Sequence, residues 1–391
     1  MSSRNFSNQS LFIPEVSQCS LFDDLKEEKQ VLKISHLIRT NSKKQYFTSS
    51  SKNKTGFFKI QSRRYLGNKY KLLNFISDIV NEKCNAYKSI CDIFAGTGVV
   101  GHHFNDKNIK VISNDRLESN YVSNSCFLAS TDINQEEIVQ KFEYLNSLIA
   151  RRENYFSKHY GNSYFDLENA KKIGLIREEI EKISISEQER NILLTSLIYA
   201  LDKVANTVGH YDAYRKKMDN YKPLNLLIPF IDFRKNINNN VYCEDANVLI
   251  RKIDCDILYL DPPYNSRQYC DSYHLLENLV TWKKPKVFGK AKKMDRNHLK
   301  SHYCLKTALN AFRDLIENAS CKHILLSYNN TGDSKDGRSN ARISDDEILN
   351  VLKMRGKVEI FERNYQAFNA GKSDPNGNCE RIFYCKVKNN L

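Results

Sequence analysis

The 391-residue chain contains no C-x-x-C pair. Its eleven cysteines are scattered singly, which argues against a zinc site and a disulfide framework. Reduced thiols and no metal are the expectation. Long apolar runs are missing as well, since no stretch reaches the ~18 residues that a membrane span needs. The first residues, MSSRNFSNQSLF, lack the basic start and apolar core of a secretory leader. A cytoplasmic protein with no membrane partner is therefore expected. No internal repeat is visible either.

What is present is a globular composition, 41% hydrophobic and 27% charged, able to bury a core. At this length one large domain with a sizeable insertion fits, as do two domains sharing a cleft. Sixty Lys and Arg against forty-six Asp and Glu leave a formal charge of +14. That excess suits a polyanionic partner and would steer it at long range, although a lysine-rich solvated surface gives the same number.

Residues 1–59 are rich in Ser, Asn, Lys and Gln and read as a poorly ordered or peripheral extension, with TSSSKNKTG of linker composition near its end. Leu72, Leu73, Ile76 and Ile79 then recur at helical spacing. Next come a short apolar run ending in Asp92-Ile93-Phe94, the glycine turn Ala95-Gly96-Thr97-Gly98, a helix, and a second apolar run ending in Asn114-Asp115. Strand, glycine turn, helix, strand and acid open a doubly wound α/β domain. Residues 116–240 differ, with long helical patterns (Asn134 to Leu148, Ala170 to Ile183, Glu187 to Ala205) leading into a basic, tyrosine-rich loop. Strand signals return near 240–243, 256–260, 323–327, 358–361 and 381–385. The expected architecture is a catalytic α/β domain from 60–115 and 241–391, interrupted by a mainly helical insertion.

Three segments carry chemistry. Asp261-Pro262-Pro263-Tyr264 follows the buried-strand run DILYL, at the carboxyl end where open α/β sheets bind ligands. An exocyclic ring amine is a poor nucleophile because its lone pair is delocalised into the ring. A carboxylate and a main-chain carbonyl accepting its hydrogens, Asp261 and Pro262 here, would localise that pair, and the prolines would fix the backbone that aims the carbonyl. Tyr264 could stack on the base face. The plain alternative is a Pro-Pro turn with an incidental acid.

In the glycine turn, Gly96 and Gly98 permit a tight bend and close backbone approach, and Asp115 ends the next strand where a carboxylate can meet ribose hydroxyls. Gly101, three residues past Gly98, keeps a dinucleotide reading open, but that reading gives D-P-P-Y no role. The third segment, Arg64-Tyr65-Leu66-Gly67-Asn68-Lys69-Tyr70, precedes the first helix and could hold an amino-acid carboxylate by charge and helix N-terminal amides, or could be a solvated basic cap.

In this order, R-Y-L-G-N-K, D-I-F-A-G-T-G and then D-P-P-Y after a long insertion, the motifs resemble those of the α-group, Dam-like, N6-adenine-specific DNA methyltransferases of type II restriction-modification systems. The resemblance runs from about Gln61 to the C-terminus. It implies a mostly parallel seven-stranded methyltransferase sheet, S-adenosyl-L-methionine as cofactor, and transfer of its methyl group to N6 of an adenine flipped out of duplex DNA. By position, Tyr65 and Lys69 would contact the methionine moiety, and Asp92, Phe94, Ala95 and Gly96 would line the cofactor pocket. Asp115 would hold the ribose and Asp245 the cofactor adenine, unless Asp245 is only a solvated acid in a turn. Asp261 would serve both the cofactor and target sites. An aromatic after a late strand, Tyr365, could pack on the flipped base, with Phe361 as core.

The insertion, 116–240, would recognise DNA. Its loop departs from the best-known members: Arg215, Lys216 and Lys217 would meet phosphates, while Asn206, His210 and Tyr211 would position or read bases or else cap a helix. Expected partners are double-stranded DNA and a cognate restriction endonuclease that acts on the same site without direct contact, and the chain is expected to be a monomer. The alternatives are methylation of RNA adenine or of a protein amide, and an inactive DNA-binding relative.

Overall fold

The structure, a computed structural model, describes residues 56–129, 133–218, 222–329, 341–364 and 379–388. The chain divides into two compact units at Phe47 and Thr48, and every described residue belongs to the second. The expected N-terminal extension thus lies almost wholly outside the described residues, as does Tyr365.

The strands in chain order are β1 (Phe57–Phe58), β2 (Ser89–Asp92), β3 (Lys110–Asn114), β4 (Ile228–Pro229), β5 (Asn240–Tyr242), β6 (Asp254–Leu260), β7 (Ser320–Ser327), β8 (Gly356–Asn364) and β9 (Cys379–Val387). The helices are α1 (Leu73–Lys83), α2 (Val99–Phe104), α3 (Glu118–Leu128), α4 (Gln135–Ser147), α5 (Tyr155–Tyr160), α6 (Leu167–Ile183), α7 (Glu187–Val204), α8 (Ala246–Leu249), α9 (Tyr269–Ser272), α10 (His274–Thr281), α11 (Ala308–Asn318) and α12 (Asp345–Arg355). No helix among the described residues is long and apolar enough to cross a membrane.

Seven strands form one sheet in the order β5-β3-β2-β6-β7-β9-β8. Pairings from β5 through β7 are parallel, and β9 runs antiparallel to both β7 and β8. Parallel strands covered on both faces should be apolar at consecutive positions, and the carboxyl half of β6 is, with Ile257 to Leu260 all buried. Cys91, Ile112, Leu258, Ile324 and Phe383 share one apolar cluster with Phe312, Leu315, Ile348 and Leu352 of α11 and α12. The register places Asp92 beside Tyr259 and Ser113 beside Asp92, so β2, β3 and β6 end together.

The helical stretch within 116–240 is seated on this sheet. Helix α3 lies against β3 and β5, and α7 packs on α3. Side-chain caps start the insertion helices where the sequence offers them: Asn134 for α4, Asp166 for α6 and Ser186 for α7 each accept a backbone N–H of the first turn. The packed unit also reaches slightly further back than residue 60. Phe57 and Phe58 pair in parallel with Ile228 and Pro229, and Phe58 is buried against Phe127 and Tyr199.

Candidate active site

From β2 the chain crosses over to β3 and then β5 on one side, while β6 and β7 lie on the other, so a crevice opens between the carboxyl ends of β2 and β6. A cavity of about 520 Å³ occupies it, within the range of small-molecule sites. Its walls include Tyr65, Lys69, Asp92, Phe94, Ala95, Gly96, Asp115, Asp245, Asp261 and Pro263, so every residue expected to meet a cofactor borders one space.

The turn after β2 shapes the floor. Gly96 and Gly98 both take left-handed backbone (φ +53° and +77°). A Cβ on Gly98 would lie 2.0 Å from Asn124 Oδ1, so helix α3 approaches as closely as glycine permits. The Gly96 N–H donates to Asp115 Oδ2 at 2.8 Å, while Asp115 Oδ1 accepts from Leu117 N–H at 2.9 Å and Asn120 Nδ2 at 3.1 Å. Burial raises the Asp115 pKa, and these three donors oppose the rise. Asp92, at the end of β2, receives only the Gly101 N–H, at 3.4 Å on Oδ2; its buried Oδ1 has no partner among the described residues. Burial, then the nearby Asp261 charge, push Asp92 up to about 8.

Asp261 enters from the end of β6. Lys69 Nζ lies 3.0 Å from its Oδ1 and 3.4 Å from the Gly67 carbonyl. Burial pushes Asp261 up to about 6, opposed by the lysine, and the carboxylate in turn raises Lys69 against its own burial. Lys69 therefore touches the D-P-P-Y acid itself, a contact that sequence order does not reveal. Beyond Asp261, Pro262 is buried and Pro263 borders the cavity. The Tyr264 carbonyl accepts from Arg342 N–H at 2.8 Å and the Tyr328 hydroxyl at 3.3 Å, and the Tyr264 ring stands edge-on to Tyr328. The tetrad is thus anchored at its far end by the strand and loop that follow it in sequence.

One wall is aromatic, and sequence reading missed most of it. Tyr65 stacks on Tyr273 at 4.4 Å and 9°, and on Tyr269 at 5.6 Å. The two later tyrosines also hold the Leu66 peptide, whose N–H donates to Tyr273 Oη at 2.8 Å and whose carbonyl accepts from Tyr269 Oη at 3.3 Å. Arg63, buried and paired with Asp202 at 3.0 Å, lies over Tyr65 and Tyr273. The signal was the four-residue spacing of Tyr269 and Tyr273, which puts both on one helical face. Opposite, Phe94 meets Tyr303 edge to face at 5.0 Å, and Tyr303 donates to Asn247 Oδ1 at 3.0 Å. Asp245 caps α8 through the Asn247 N–H at 3.0 Å and pairs with Arg116 at 3.2 Å, so capping and a place on the cavity wall coexist.

The basic loop divides. Arg215, Lys216 and Lys217 are exposed, as expected of phosphate contacts. Asn206 closes the loop, donating to the Ser163 and Arg215 carbonyls at 3.0 and 2.9 Å. His210 is half-buried beside Asp212, and burial lowers its pKa. Tyr211 corrects the sequence expectation: its ring is interior, 2% exposed, and its hydroxyl donates to Asp202, so it supports the Arg63 pair and cannot reach a base.

A doubly wound sheet with a glycine turn after the first core strand, an acid ending the second, and D-P-P-Y at the switch point defines an α/β methyltransferase catalytic unit. Residues 65–331 match the family model described as D12 class N6 adenine-specific DNA methyltransferase. The chain is 34% identical over 328 residues to the type II methyltransferase M.NlaIII of Neisseria lactamica, covering 79% of this chain and 93% of that one. It is 37% identical over 350 residues to the modification methylase StsI of Streptococcus sanguinis and 33% identical over 346 residues to M.FokI of Planomicrobium okeanokoites. Those matches take 83% and 82% of this chain but 52% of each relative, so the chain spans about half the length of these two. The chain belongs to the D12 class of N6 adenine-specific DNA methyltransferases.

Proposed function

We propose that the chain transfers a methyl group from S-adenosyl-L-methionine to N6 of an adenine extruded from duplex DNA, as the modification enzyme of a type II restriction-modification system. The observation that carries this reading is that Asp261 and the glycine turn with its two acids, Asp92 and Asp115, border one cavity at the switch point. The order of the three motifs favours the α-group arrangement.

The residues present fit the cofactor. Asp92 Oδ1, buried and unpartnered among the described residues, suits an amine donor, and Asp115 at the end of β3 suits ribose hydroxyls. Tyr65 and Lys69 would border the methionine end, Phe94, Ala95 and Gly96 the middle, and Asp245 the adenine end. The cofactor, when bound, supplies a methyl group on a sulfonium that leaves as a neutral thioether.

What the chain contributes is position and polarity. Asp261, ionised, accepts one hydrogen of the target amine, and the Pro262 carbonyl accepts the other, which turns the nitrogen lone pair toward the donor. Tyr264 meets the face of the base. The methyl group moves as the N–C bond forms and the S–C bond breaks, and the proton then lost from nitrogen would pass to Asp261, the basic group of the two acceptors, or to water. Arg215, Lys216 and Lys217 hold DNA phosphates, while Asn206 and His210 set the loop that approaches bases. A cognate endonuclease would act on the same sequence without touching this chain, which would work as a cytoplasmic monomer. Transfer of tritium from labelled cofactor to duplex DNA tests the reading. Wild-type protein should label adenine, and Asp261→Ala should not while still binding cofactor; equal labelling by both would overturn it.

A further inference from the structure

The connection between α10 and α11 carries charge that the active site leaves unused. From Lys283 to Lys300, eight lysines and arginines stand against a single acid, Asp295. Within it Phe288 and Lys293 form an antiparallel bridge, with backbone bonds of 2.8 and 3.0 Å, closing a turn in which Gly289 and Lys292 take left-handed φ. The turn presents Lys286, Lys290 and Lys292 to solvent around Phe288, a large apolar side chain left 63% exposed.

Its backbone is held in place. The hydroxyls of Tyr155, Tyr160 and Tyr164 donate to the carbonyls of Pro285, Lys292 and Ala291 at 2.6, 3.4 and 3.0 Å. Tyr164 Oη is also 2.8 Å from the Tyr211 carbonyl, and Lys293 pairs with Asp212 at 2.8 Å. The turn is thereby fixed to the loop that ends in Arg215, Lys216 and Lys217. Downstream, Arg296 pairs with Asp271, and Ser301 exchanges hydrogen bonds with Gln268 at 2.8 and 3.1 Å, where the segment becomes part of the cavity wall. The tethered segment therefore connects the basic loop to the wall of the cavity. A merely solvated basic loop needs no such tethering.

We propose that this turn is a second duplex-DNA contact, in which Lys286, Lys290 and Lys292 neutralise backbone phosphates and Phe288 packs on sugar or base. The assignment rests on the DNA reading above. Phosphate contacts fix the duplex relative to the active site and make affinity fall with salt.

The test measures the dissociation constant of the full chain for a short duplex across a salt series. In Lys286→Ala/Lys290→Ala/Lys292→Ala, the slope of log affinity against log salt should shrink by about 1 per lysine, with affinity at low salt down about tenfold or more and cofactor binding unchanged. Phe288→Ala should lose affinity at an unchanged slope; wild-type affinity there would remove that side chain from the contact. The control, Lys88→Ala/Lys107→Ala/Lys235→Ala, removes the same charge beside the amino ends of β2 and β3, away from the carboxyl ends that border the cavity, where these lysines line a separate pocket. It should keep the wild-type slope. A wild-type slope in the turn variant, or an equal loss in the control, overturns the proposal and leaves the DNA reading standing. Wild-type protein that binds no duplex at any salt overturns both.

Discussion

Asp261 is ionisable, nearly enclosed and held by one lysine, and its chemistry depends on which protonation state that balance leaves. In the proposed reaction the carboxylate is the stronger acceptor for the amine hydrogens, and of the two forms only it can take up the proton that leaves. Because burial raises its pKa to about 6, the competent form dominates above that pH and is lost as pH falls through it. Single-turnover methylation should decline on the acid side near pH 6, and a profile flat from pH 5 to 8 would contradict the role given to Asp261. Lys69→Met removes the opposing charge and should move that decline to higher pH, which a purely structural lysine would not do. Asp261→Ala should lower the rate by about 10²-fold or more. Tyr211→Phe makes the opposite case: losing its bond to Asp202 should cost about 1 kcal/mol in urea unfolding, with DNA affinity unchanged, because the ring is interior.

Elements differ in how plainly their residues announce them. The buried strands β2, β3, β6 and β7 read as apolar runs, and α4, α6 and α7 read as long helical patterns. Helix α3 did not, because it is buried on nearly every side: Ser119, Asn120, Ser123 and Asn124 are interior, so no polar face alternates with an apolar one. The paired strands β1 and β4 are two residues each, too short for any period to show.

The site was legible where it follows strand ends, at Asp92, Asp115 and Asp261. It was illegible where distant segments meet, as with Lys69 on Asp261 or Tyr65 on Tyr273. Two substitutions test the element scale. Gly98→Ala forces a Cβ onto Asn124 in a left-handed conformation and should destabilise the fold by more than about 1 kcal/mol while weakening cofactor binding, measured by thermal melting and calorimetry. Arg177, buried in α6, donates to the Leu279 and Val280 carbonyls that end α10. Arg177→Met strands those acceptors and should cost about 2–3 kcal/mol in urea unfolding; an unchanged midpoint would show that the cap is dispensable.

Across the whole molecule, the sheet sets three acids around one cavity, and the helical region sets a basic loop beside it. Fold class, family and pocket followed from motif order, since strand ends in a doubly wound sheet converge by topology. Net charge pointed to a polyanion but not to where it would lie, because the tyrosines that tether the basic turn come from α5 and the turn after it, more than a hundred residues away in sequence. Duplex DNA incubated with the protein and S-adenosylmethionine, digested to nucleosides and analysed by mass spectrometry, gives the decisive comparison. N6-methyladenine should accumulate with the wild-type chain and be absent with Asp261→Ala. Methylated cytosine instead, or methyl groups found only in RNA or protein offered alongside, would contradict the assignment.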